Sequence, residues 1–293
     1  MKNVSVIGAG VLGSALVRRL LRCGFDVQVY NRTKQKLKEL IDEGARSIDD
    51  LDTAFSCKHN LWLLCLRDEN SIRDVFFKDK IIGSQKSHRS LVVNTSTIGP
   101  SACARLEQFF TALNVEYIEL PVSGGAEGAL SGELVGYLGK FPEYLNPDFG
   151  HVVGALLKSY CLMQSNQAAQ AMKVINNYCE AINLSAAAEA LLLAETYGIP
   201  KKVIAGSLGL GRGRSAYQEL LLKRYLSTNP PITVPLEIRI KDLELCGELF
   251  KSMKVQSFYF DSALDLYRRT LHSSVSAQDQ MDCYKYLCNR TEG

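Results

Sequence analysis

The segment Val4–Tyr30, VSVIGAGVLGSALVRRLLRCGFDVQVY, sets the organisation of this chain. It begins with a short apolar run typical of a buried strand and then passes through three glycines. Apolar residues with helical spacing follow, and alternating residues typical of a second strand end the segment. Gly24 is a suitable helix stop between the last two parts. The segment therefore predicts a strand–helix–strand unit with a glycine-rich first turn.

The glycines of this turn have the spacing GxGxxG, in Gly8-Ala9-Gly10-Val11-Leu12-Gly13. Gly8 permits the tight turn, Gly10 lets the backbone approach a pyrophosphate, and Gly13 lets helix and strand pack closely. The N–H groups at the start of the helix favour phosphate groups. A glycine turn could be purely structural, but within a complete strand–helix–strand unit the pattern predicts dinucleotide binding by all six residues.

The end of the second strand distinguishes NADP from NAD. An NAD enzyme usually places Asp or Glu there, about 20 residues after the glycines, to hold the ribose 2′-hydroxyl. Here the position is Asn31, 18 residues after Gly13 (31 − 13 = 18), and Arg32 and Thr33 follow. Asn31 and Thr33 can donate hydrogen bonds to a 2′-phosphate, and Arg32 adds positive charge. The alternative is a solvated basic turn; we favour binding of NADP, with NADPH preferred over NADH.

Strand and helix patterns continue to alternate up to about residue 120. Further strands are predicted at Asn60–Leu66, Leu91–Val93 and Val115–Leu120. This repetition predicts a parallel sheet with helices on both faces and ligands beyond the carboxyl ends of the strands. The loops 66–68, 94–97 and 121–125 should then converge at the cofactor, with Leu66 opening the first of them.

A polar stripe marks the stretch Asn166–Leu184, after which nearly every pattern is helical. Its members recur at steps of four or three, so they share one helical face: Asn166, Gln170, Lys173, Asn177 and Glu180. The stripe is either the solvated side of a core helix or the wall of a cleft. Because a nicotinamide site precedes it, we favour the cleft for Lys173 and Asn177. The other members are expected to contact water.

Bulk composition excludes several classes of protein. The length of 293 residues predicts two domains, and a net charge of +3 is too small for nucleic acid or a membrane surface as the main partner. Nine cysteines without CxxC spacing form no disulfide framework or zinc site. The four histidines also lack the spacing of a metal site: His59, His88, His151 and His272. We therefore expect a protein without a metal, in a reducing compartment such as the cytoplasm.

The N-terminus resembles a signal peptide in part, since Lys2 precedes the apolar run Val4–Val17. However, glycines interrupt this run and no cleavage pattern follows it. No later apolar run is long enough to span a membrane. We expect neither a signal peptide nor a membrane segment.

The loop Pro121-Val122-Ser123-Gly124-Gly125 exposes a hydroxyl and backbone N–H groups, which suit a carboxylate. With the glycine turn, the Asn31–Thr33 turn and the motifs Ser96–Pro100, Lys173–Asn177 and Ile240–Leu243, it resembles the β-hydroxyacid dehydrogenase family. That family includes 3-hydroxyisobutyrate dehydrogenase, tartronate semialdehyde reductase and glyoxylate/succinic semialdehyde reductases. The motifs occur in the family's order from residue 4 to about residue 245.

The resemblance implies an α/β fold with a mainly parallel N-terminal Rossmann domain at 1–163. An all-helical domain of the 6-phosphogluconate dehydrogenase type follows at 164–293, joined by a long helix over Asn166–Tyr197. The activity implied is an NADP-dependent oxidoreductase that interconverts a small β-hydroxy acid or alcohol and its carbonyl compound or semialdehyde. The long helices of the second half also predict a homodimer.

The resemblance also implies roles for single residues. Lys173 matches the lysine that donates or accepts the proton at the substrate oxygen, and Asn177 matches an asparagine that holds the substrate. Ser123, Gly124 and Gly125 match the loop that binds the substrate carboxylate. The positions that match residues at the nicotinamide end of the cofactor site are Ser96, Thr97 and Lys241.

Departures from the family pattern leave the substrate open. Glycines usually stand four, six and nine residues before the lysine, where this chain has Ala169, Gln167 and Gln164. Their side chains are expected to reshape the pocket. An imine reductase is therefore an alternative, although imine reductases commonly have Asp or Tyr at the position of Lys173. A non-catalytic module of the kind fused to chromatin factors is a further alternative, but such modules lose the lysine.

Overall fold

The computed structural model describes residues 2–51, 54, 61–78, 90–143, 146–227, 230–273 and 277–291. The chain divides into two compact units, Met1–Lys173 and Val174–Gly293, and the division falls inside one long helix. Three positions named above, His59, Asn60 and His88, lie outside the described residues.

The first unit contains a six-stranded sheet in which all neighbouring strands are parallel. The strands are β1 (Asn3–Ile7), β2 (Asp26–Tyr30), β3 (Arg46–Ser47), β4 (Leu61–Leu64), β5 (Leu91–Asn94) and β6 (Glu116–Glu119). Their order is β3-β2-β1-β4-β5-β6, so the direction of winding reverses between β1 and β4. That reversal is where doubly wound sheets bind ligands. The predicted α/β fold with a parallel sheet is confirmed.

Helices and apolar cores cover both faces of this sheet. The helices are α1 (Val11–Arg22), α2 (Lys38–Asp42), α3 (Glu69–Lys78) and α4 (Pro100–Ala112). One core contains Leu16 and Leu20, and the other contains Phe76 and Phe110. Strands β4 and β5 are buried along their whole length, as expected for strands covered on both faces.

A second sheet in the same unit was not predicted. It contains β7 (Val122–Ser123), β8 (Leu134–Leu138) and β9 (Leu157–Leu162), in that order. The helices α5 (Gly125–Ser131) and α6 (Pro147–Leu156) alternate with these strands. All side chains of β9 except Leu157 are exposed, so the strand has no apolar periodicity. It is specified by its pairing with β8, which sequence patterns do not show.

The second unit continues α7 (Asn166–Thr196), a helix of 31 residues that begins in the first unit. The helices that follow are α8 (Lys201–Leu208), α9 (Ala216–Tyr225), α10 (Leu236–Met253), α11 (Phe260–Leu271) and α12 (Cys283–Thr291). The described part of this unit contains no extended strand, which confirms the prediction of an all-helical second half. Within the described residues, no helix is long and apolar enough to cross a membrane.

Candidate functional site

The turn between β1 and α1 requires glycine at two of its three motif positions. Gly8 has φ +106°, and a Cβ added to it would lie 2.2 Å from the carbonyl oxygen of Cys65. A Cβ on Gly13 would lie 2.0 Å from the carbonyl oxygen of Gly8. Both distances are shorter than any real Cβ contact, so these two glycines hold α1 against the ends of β1 and β4.

Gly10 differs because a Cβ added there would meet nothing within 4 Å. It is the N-cap of α1, no side chain caps the helix, and the first turn contains no acidic residue. The first N–H groups of a helix have no partner within it and form a positive dipole end. This open, uncapped helix start fits the diphosphate of a nicotinamide dinucleotide, which Gly10 would allow to approach the backbone.

The turn after β2 is tied to the glycine turn by Asn31. Its Oδ1 accepts a hydrogen bond from the backbone N–H of Ala9 at 3.0 Å, and its Nδ2 donates to the carbonyl oxygen of Thr33 at 2.9 Å. Arg32 and Thr33 are exposed beside it. Asn31 thus fixes the conformation of this turn, and Arg32 provides its charge.

The loops after β4 and β5 are joined by hydrogen bonds, as their positions predict. The backbone N–H of Leu66 donates to Ser96 Oγ at 2.9 Å. Thr95 Oγ1 donates to the carbonyl oxygen of Leu64 at 2.6 Å. The loop after β6 leads through Ser123, the last residue of β7, to Gly124 and Gly125, which have φ +124° and +62°.

Gln170, in the first turns of α7, binds the loop after β5 with its side chain. Its Oε1 accepts hydrogen bonds from the backbone N–H groups of Ile98 and Gly99, at 2.9 and 3.0 Å. Its Nε2 donates to the carbonyl oxygen of Ser96 at 2.8 Å and to Glu119 Oε2 at 2.7 Å. The amide therefore uses both of its ends to fix α7 to the loop.

Asn166 forms a second attachment one turn earlier. Its Oδ1 accepts from the backbone N–H of Glu119 at 3.1 Å, and its Nδ2 donates to Glu107 Oε1 at 2.8 Å. A Cβ on Gly139 would lie 2.3 Å from Asn166 Oδ1, so glycine permits this close approach. Asn166 and Gln170 are 1% and 0% exposed. The expectation that they contact water is wrong, because both are used to fasten the helix.

Lys173 lies one turn beyond Gln170 on the same face of α7, at 7% exposure. It therefore occupies the helix face that holds residues 96–99. The residues that replace the family's glycines are placed differently from one another. Gln167 donates to Glu107 Oε2 at 2.9 Å, Gln164 is exposed, and Ala169 is fully buried.

Asn177 and Lys241 belong to the second unit. Asn177 lies one turn after Lys173 on α7, is 3% exposed and donates through Nδ2 to Asp242. Lys241 Nζ lies 2.8 Å from the same carboxyl group. Among the described residues, no cluster of His, Cys, Asp or Glu side chains could hold a metal ion.

Glu119, at the end of β6, is a fully buried carboxyl group that sequence analysis did not assign to the site. Burial raises the pKa of Glu119 from an ordinary 4.5 to about 7. Hydrogen bonds from Tyr117, Gln170 and Asn94 lower the pKa but do not outweigh burial. Tyr117 Oη lies 2.5 Å from Glu119 Oε1. A proton therefore binds to Glu119 more readily in the folded chain than in the unfolded chain.

This shift predicts an unusual dependence of stability on pH. Between about pH 4.5 and pH 7 the folded chain retains the proton on Glu119 and the unfolded chain does not. The free energy of unfolding should therefore fall as pH rises through this range, by on the order of 3 kcal/mol from this group. We expect Glu119→Gln, which keeps the size without the charge, to lose that decline in denaturant titrations.

The matched control is Glu127→Gln, which changes an exposed glutamate of α5. This variant should keep the decline in the free energy of unfolding that Glu119 causes in the unmodified protein. If the difference between Glu119→Gln and the unmodified protein is constant across the same range, then Glu119 does not hold a proton in the folded chain.

Comparisons with known families agree with this geometry. Residues 3–144 match the NAD-binding domain of 6-phosphogluconate dehydrogenase, and residues 167–287 match the NAD-binding domain of NADP-dependent 3-hydroxyisobutyrate dehydrogenase. The chain is 22% identical to 2-(hydroxymethyl)glutarate dehydrogenase of Eubacterium barkeri, over 95% of each chain. It is 25% identical to the cytokine-like nuclear factor N-PAC of Xenopus tropicalis, over 97% of this chain and 53% of that protein. The chain thus spans about half the length of N-PAC.

Solved structures show the same fold over nearly the whole chain. Psf3 in complex with NADP⁺ and 2-OPP matches with a TM-score of 0.87 and 29% identity, over 97% of this chain and 99% of that one. An imine reductase of Streptomyces aurantiacus matches less well, with a TM-score of 0.60 and 19% identity over 97% and 99%. The glycine turn, the parallel sheet and both family matches lead to one conclusion: the chain belongs to the β-hydroxyacid dehydrogenase family of NAD(P)-binding oxidoreductases.

Proposed function

We propose that this protein is an NADP(H)-dependent oxidoreductase that interconverts a small β-hydroxy acid or alcohol and its carbonyl compound or semialdehyde. Bound NADPH supplies the hydride. Lys173 donates the proton that the developing alkoxide requires, and in the reverse direction it accepts the proton of the hydroxyl group. Ser123, Gly124 and Gly125 bind the substrate carboxylate, and Asn177 binds the substrate one helical turn from Lys173.

The observation that carries the proposal is the placement of Lys173. Lysine side chains are usually exposed, whereas Lys173 is only 7% exposed and lies on the helix face that binds the loop after β5. The preceding turn of its helix is fixed to residues 96–99, which lie at the end of the dinucleotide-binding sheet. Residues 3–144, in the first unit, match an NAD-binding domain, which supports a nicotinamide cofactor beside Lys173.

Two other functions remain as alternatives to this proposal. An imine reductase commonly has Asp or Tyr at the position of Lys173, and the imine reductase compared above is the less similar structure. A non-catalytic module would not need a buried lysine on this helix face. Lys173 therefore favours carbonyl chemistry over both.

Oxidation of NADPH by the purified protein separates the three functions. The substrates to test are glyoxylate, succinic semialdehyde, methylglyoxal and a cyclic imine. We expect oxidation with at least one carbonyl compound and none with the imine. Oxidation with the imine alone would contradict the proposal in favour of an imine reductase. Tight binding of NADPH without oxidation by any of the four would favour the non-catalytic module.

The preference for NADPH is tested by Arg32→Ala. Arg32 is exposed at the end of β2, where a 2′-phosphate would need a cation. A charge-assisted hydrogen bond contributes about 1.5–3 kcal/mol, so the affinity for NADPH should fall by roughly 10- to 100-fold. The affinity for NADH should change by less than about threefold. Titration calorimetry measures both affinities.

Lys38→Ala is the matched control for Arg32→Ala, because it removes a positive charge from an exposed residue of the following helix. It should leave the ratio of the two affinities unchanged. Equal losses of NADPH and NADH affinity in Arg32→Ala would show that Arg32 does not recognise the 2′-phosphate.

A further inference from the structure

The buried carboxyl group of Glu119 is the shared acceptor of two side-chain amides. Asn94 Nδ2 donates to its Oε1 at 3.2 Å and to its Oε2 at 3.0 Å. Gln170 Nε2 donates to its Oε2 at 2.7 Å. All three residues are 0% exposed. Asn94 ends β5, Glu119 ends β6 and Gln170 lies on α7, so this carboxyl group joins three elements of the first unit.

The two amides hold the main chain of Ser96 from both sides. Asn94 Oδ1 accepts a hydrogen bond from the backbone N–H of Ser96 at 3.0 Å, and Gln170 Nε2 donates to the carbonyl oxygen of Ser96 at 2.8 Å. Gln170 Oε1 accepts from the backbone N–H groups of Ile98 and Gly99. Because the oxygen of each amide is occupied by backbone N–H groups, its nitrogen must face the carboxyl group. An acceptor at that position therefore keeps both amides in place.

The carboxyl group provides this acceptor with or without a proton. An amide nitrogen cannot accept a hydrogen bond, so a proton on Glu119 cannot be directed at Asn94 or Gln170. Tyr117 Oη lies 2.5 Å from Glu119 Oε1 and can donate or accept. The thiol of Cys103 also faces the carboxyl group. The proton therefore lies on the side of Tyr117 or Cys103, and an oxygen remains as the acceptor for Gln170.

We infer that Glu119 is a positioning residue that keeps Gln170, and with it the helical turn before Lys173, bound to the loop after β5. The inference rests on the proposed function, which makes Lys173 the proton donor. Lys173 follows Gln170 by one turn on the same helix face, so a shift of that turn displaces the donor. A displacement of about 1 Å at a reacting group can lower a rate by roughly 10²-fold.

Glu119→Leu tests the inference first in the protein without cofactor. Leucine removes the acceptor and keeps an apolar side chain of similar size in the buried site. Gln170 should then lose its fixed orientation, so the N–H groups of Ile98 and Gly99 should exchange with solvent at least about 10-fold faster. The N–H of Ala9, which is bound in the glycine turn, should keep its exchange rate. Hydrogen exchange followed by NMR measures all three groups in one sample.

The same substitution should lower the single-turnover rate of NADPH oxidation by roughly 10- to 100-fold, because the turn before Lys173 is no longer fixed. The affinity for NADPH should stay within about threefold, because the glycine turn and Arg32 lie outside this network. General loosening of the fold would lower both quantities. Glu119→Gln should keep the rate within about threefold of the unmodified protein, since its oxygen can accept from Gln170 and its nitrogen can donate to Tyr117.

Glu116→Leu is the matched control, because it removes a partly exposed glutamate from the other end of β6. Its carboxyl group accepts a hydrogen bond from the backbone N–H of Glu143 and should leave the rate unchanged within about twofold. Gln170→Leu removes the same hydrogen bond as Glu119→Leu from the opposite side. The loss of rate in the double variant should therefore be well below the product of the two single losses.

Unchanged exchange of Ile98 and Gly99, an unchanged rate, or equal losses of rate and NADPH affinity in Glu119→Leu would each overturn the inference. A double variant with the full product of the single losses would also overturn it, because Glu119 would then act without Gln170. If neither Glu119→Leu nor Gln170→Leu folds, as judged by thermal unfolding, the network serves folding and the inference fails.

The proposed function is judged separately by the oxidation of NADPH in the unmodified protein. A protein that reduces a carbonyl compound at a rate insensitive to Glu119→Leu would retain the function and lose this inference. A protein that reduces no carbonyl compound would lose the proposed function, and hydrogen exchange at Ile98 and Gly99 would still show whether Glu119 fixes the loop.

Discussion

Replacing Gly10 by alanine should weaken NADPH binding by on the order of 10- to 100-fold while leaving the fold intact. The added Cβ would meet nothing within 4 Å in the protein. Gly10 has φ −77°, which alanine adopts readily. The stability of the cofactor-free protein should therefore change by no more than about 1 kcal/mol. The methyl group would instead lie where the backbone must approach the diphosphate.

Gly13→Ala, in contrast, should lower the stability of the cofactor-free protein. Its Cβ would lie 2.0 Å from the carbonyl oxygen of Gly8, so the helix and the turn must separate. Overpacking of this kind destabilises a fold by about 1–3 kcal/mol, and contact with rigid backbone should place this variant at or above the upper end. Denaturant titration without cofactor and calorimetry with NADPH measure the two effects separately.

Gly150→Ala serves as the control, since Gly150 is an exposed residue of α6 whose added Cβ also meets nothing within 4 Å. It should keep full NADPH affinity and gain up to about 1 kcal/mol of stability. If Gly10→Ala binds NADPH as well as Gly150→Ala does, the diphosphate does not approach the chain at Gly10. If Gly13→Ala is as stable as the unmodified protein, α1 does not pack against the turn as closely as described above.

The glycine turn and the strand–helix–strand unit around it could be predicted because they depend on local chemistry. Positive φ at Gly8 and close contact at Gly13 both require glycine, so they are recognisable in the sequence. A strand buried on both faces, such as β4, is recognisable as a continuous apolar run.

The attachments of α7 could not be predicted from the sequence. Gln170 binds the backbone of Ser96, which is 74 residues away, and the carboxylate of Glu119, which is 51 residues away. A hydrogen bond to a backbone group can be made with almost any residue type, so no sequence pattern reveals it. The polar stripe therefore had two interpretations, and only the fold shows that its first two members are buried. The pairing of Asn177 with Asp242 is hidden in the same way, 65 residues apart.

Lys173→Met should lower kcat by about 10²- to 10⁴-fold, the usual contribution of a positioned general acid. Methionine fills a similar volume without a proton to donate, so the first turns of α7 should stay fixed through Asn166 and Gln170. The affinity for NADPH should therefore remain within about threefold of the unmodified protein. A loss of kcat together with a loss of cofactor affinity would indicate a structural defect instead.

Lys140→Met is the matched control for this substitution. Lys140 is a more exposed lysine of the same unit, 3.7 Å from Glu107, and has no role in the proposed chemistry. Its replacement should leave kcat unchanged within about twofold, because a surface ion pair contributes little.

The most direct test is the single-turnover rate of NADPH oxidation, with protein in excess of NADPH and the best carbonyl substrate saturating. This rate reports the chemical step, because it does not depend on product release. We predict that Lys173→Met lowers it by about 10²- to 10⁴-fold relative to the unmodified protein and to Lys140→Met. A rate within about threefold of the unmodified protein would contradict the assignment of Lys173 as the proton donor.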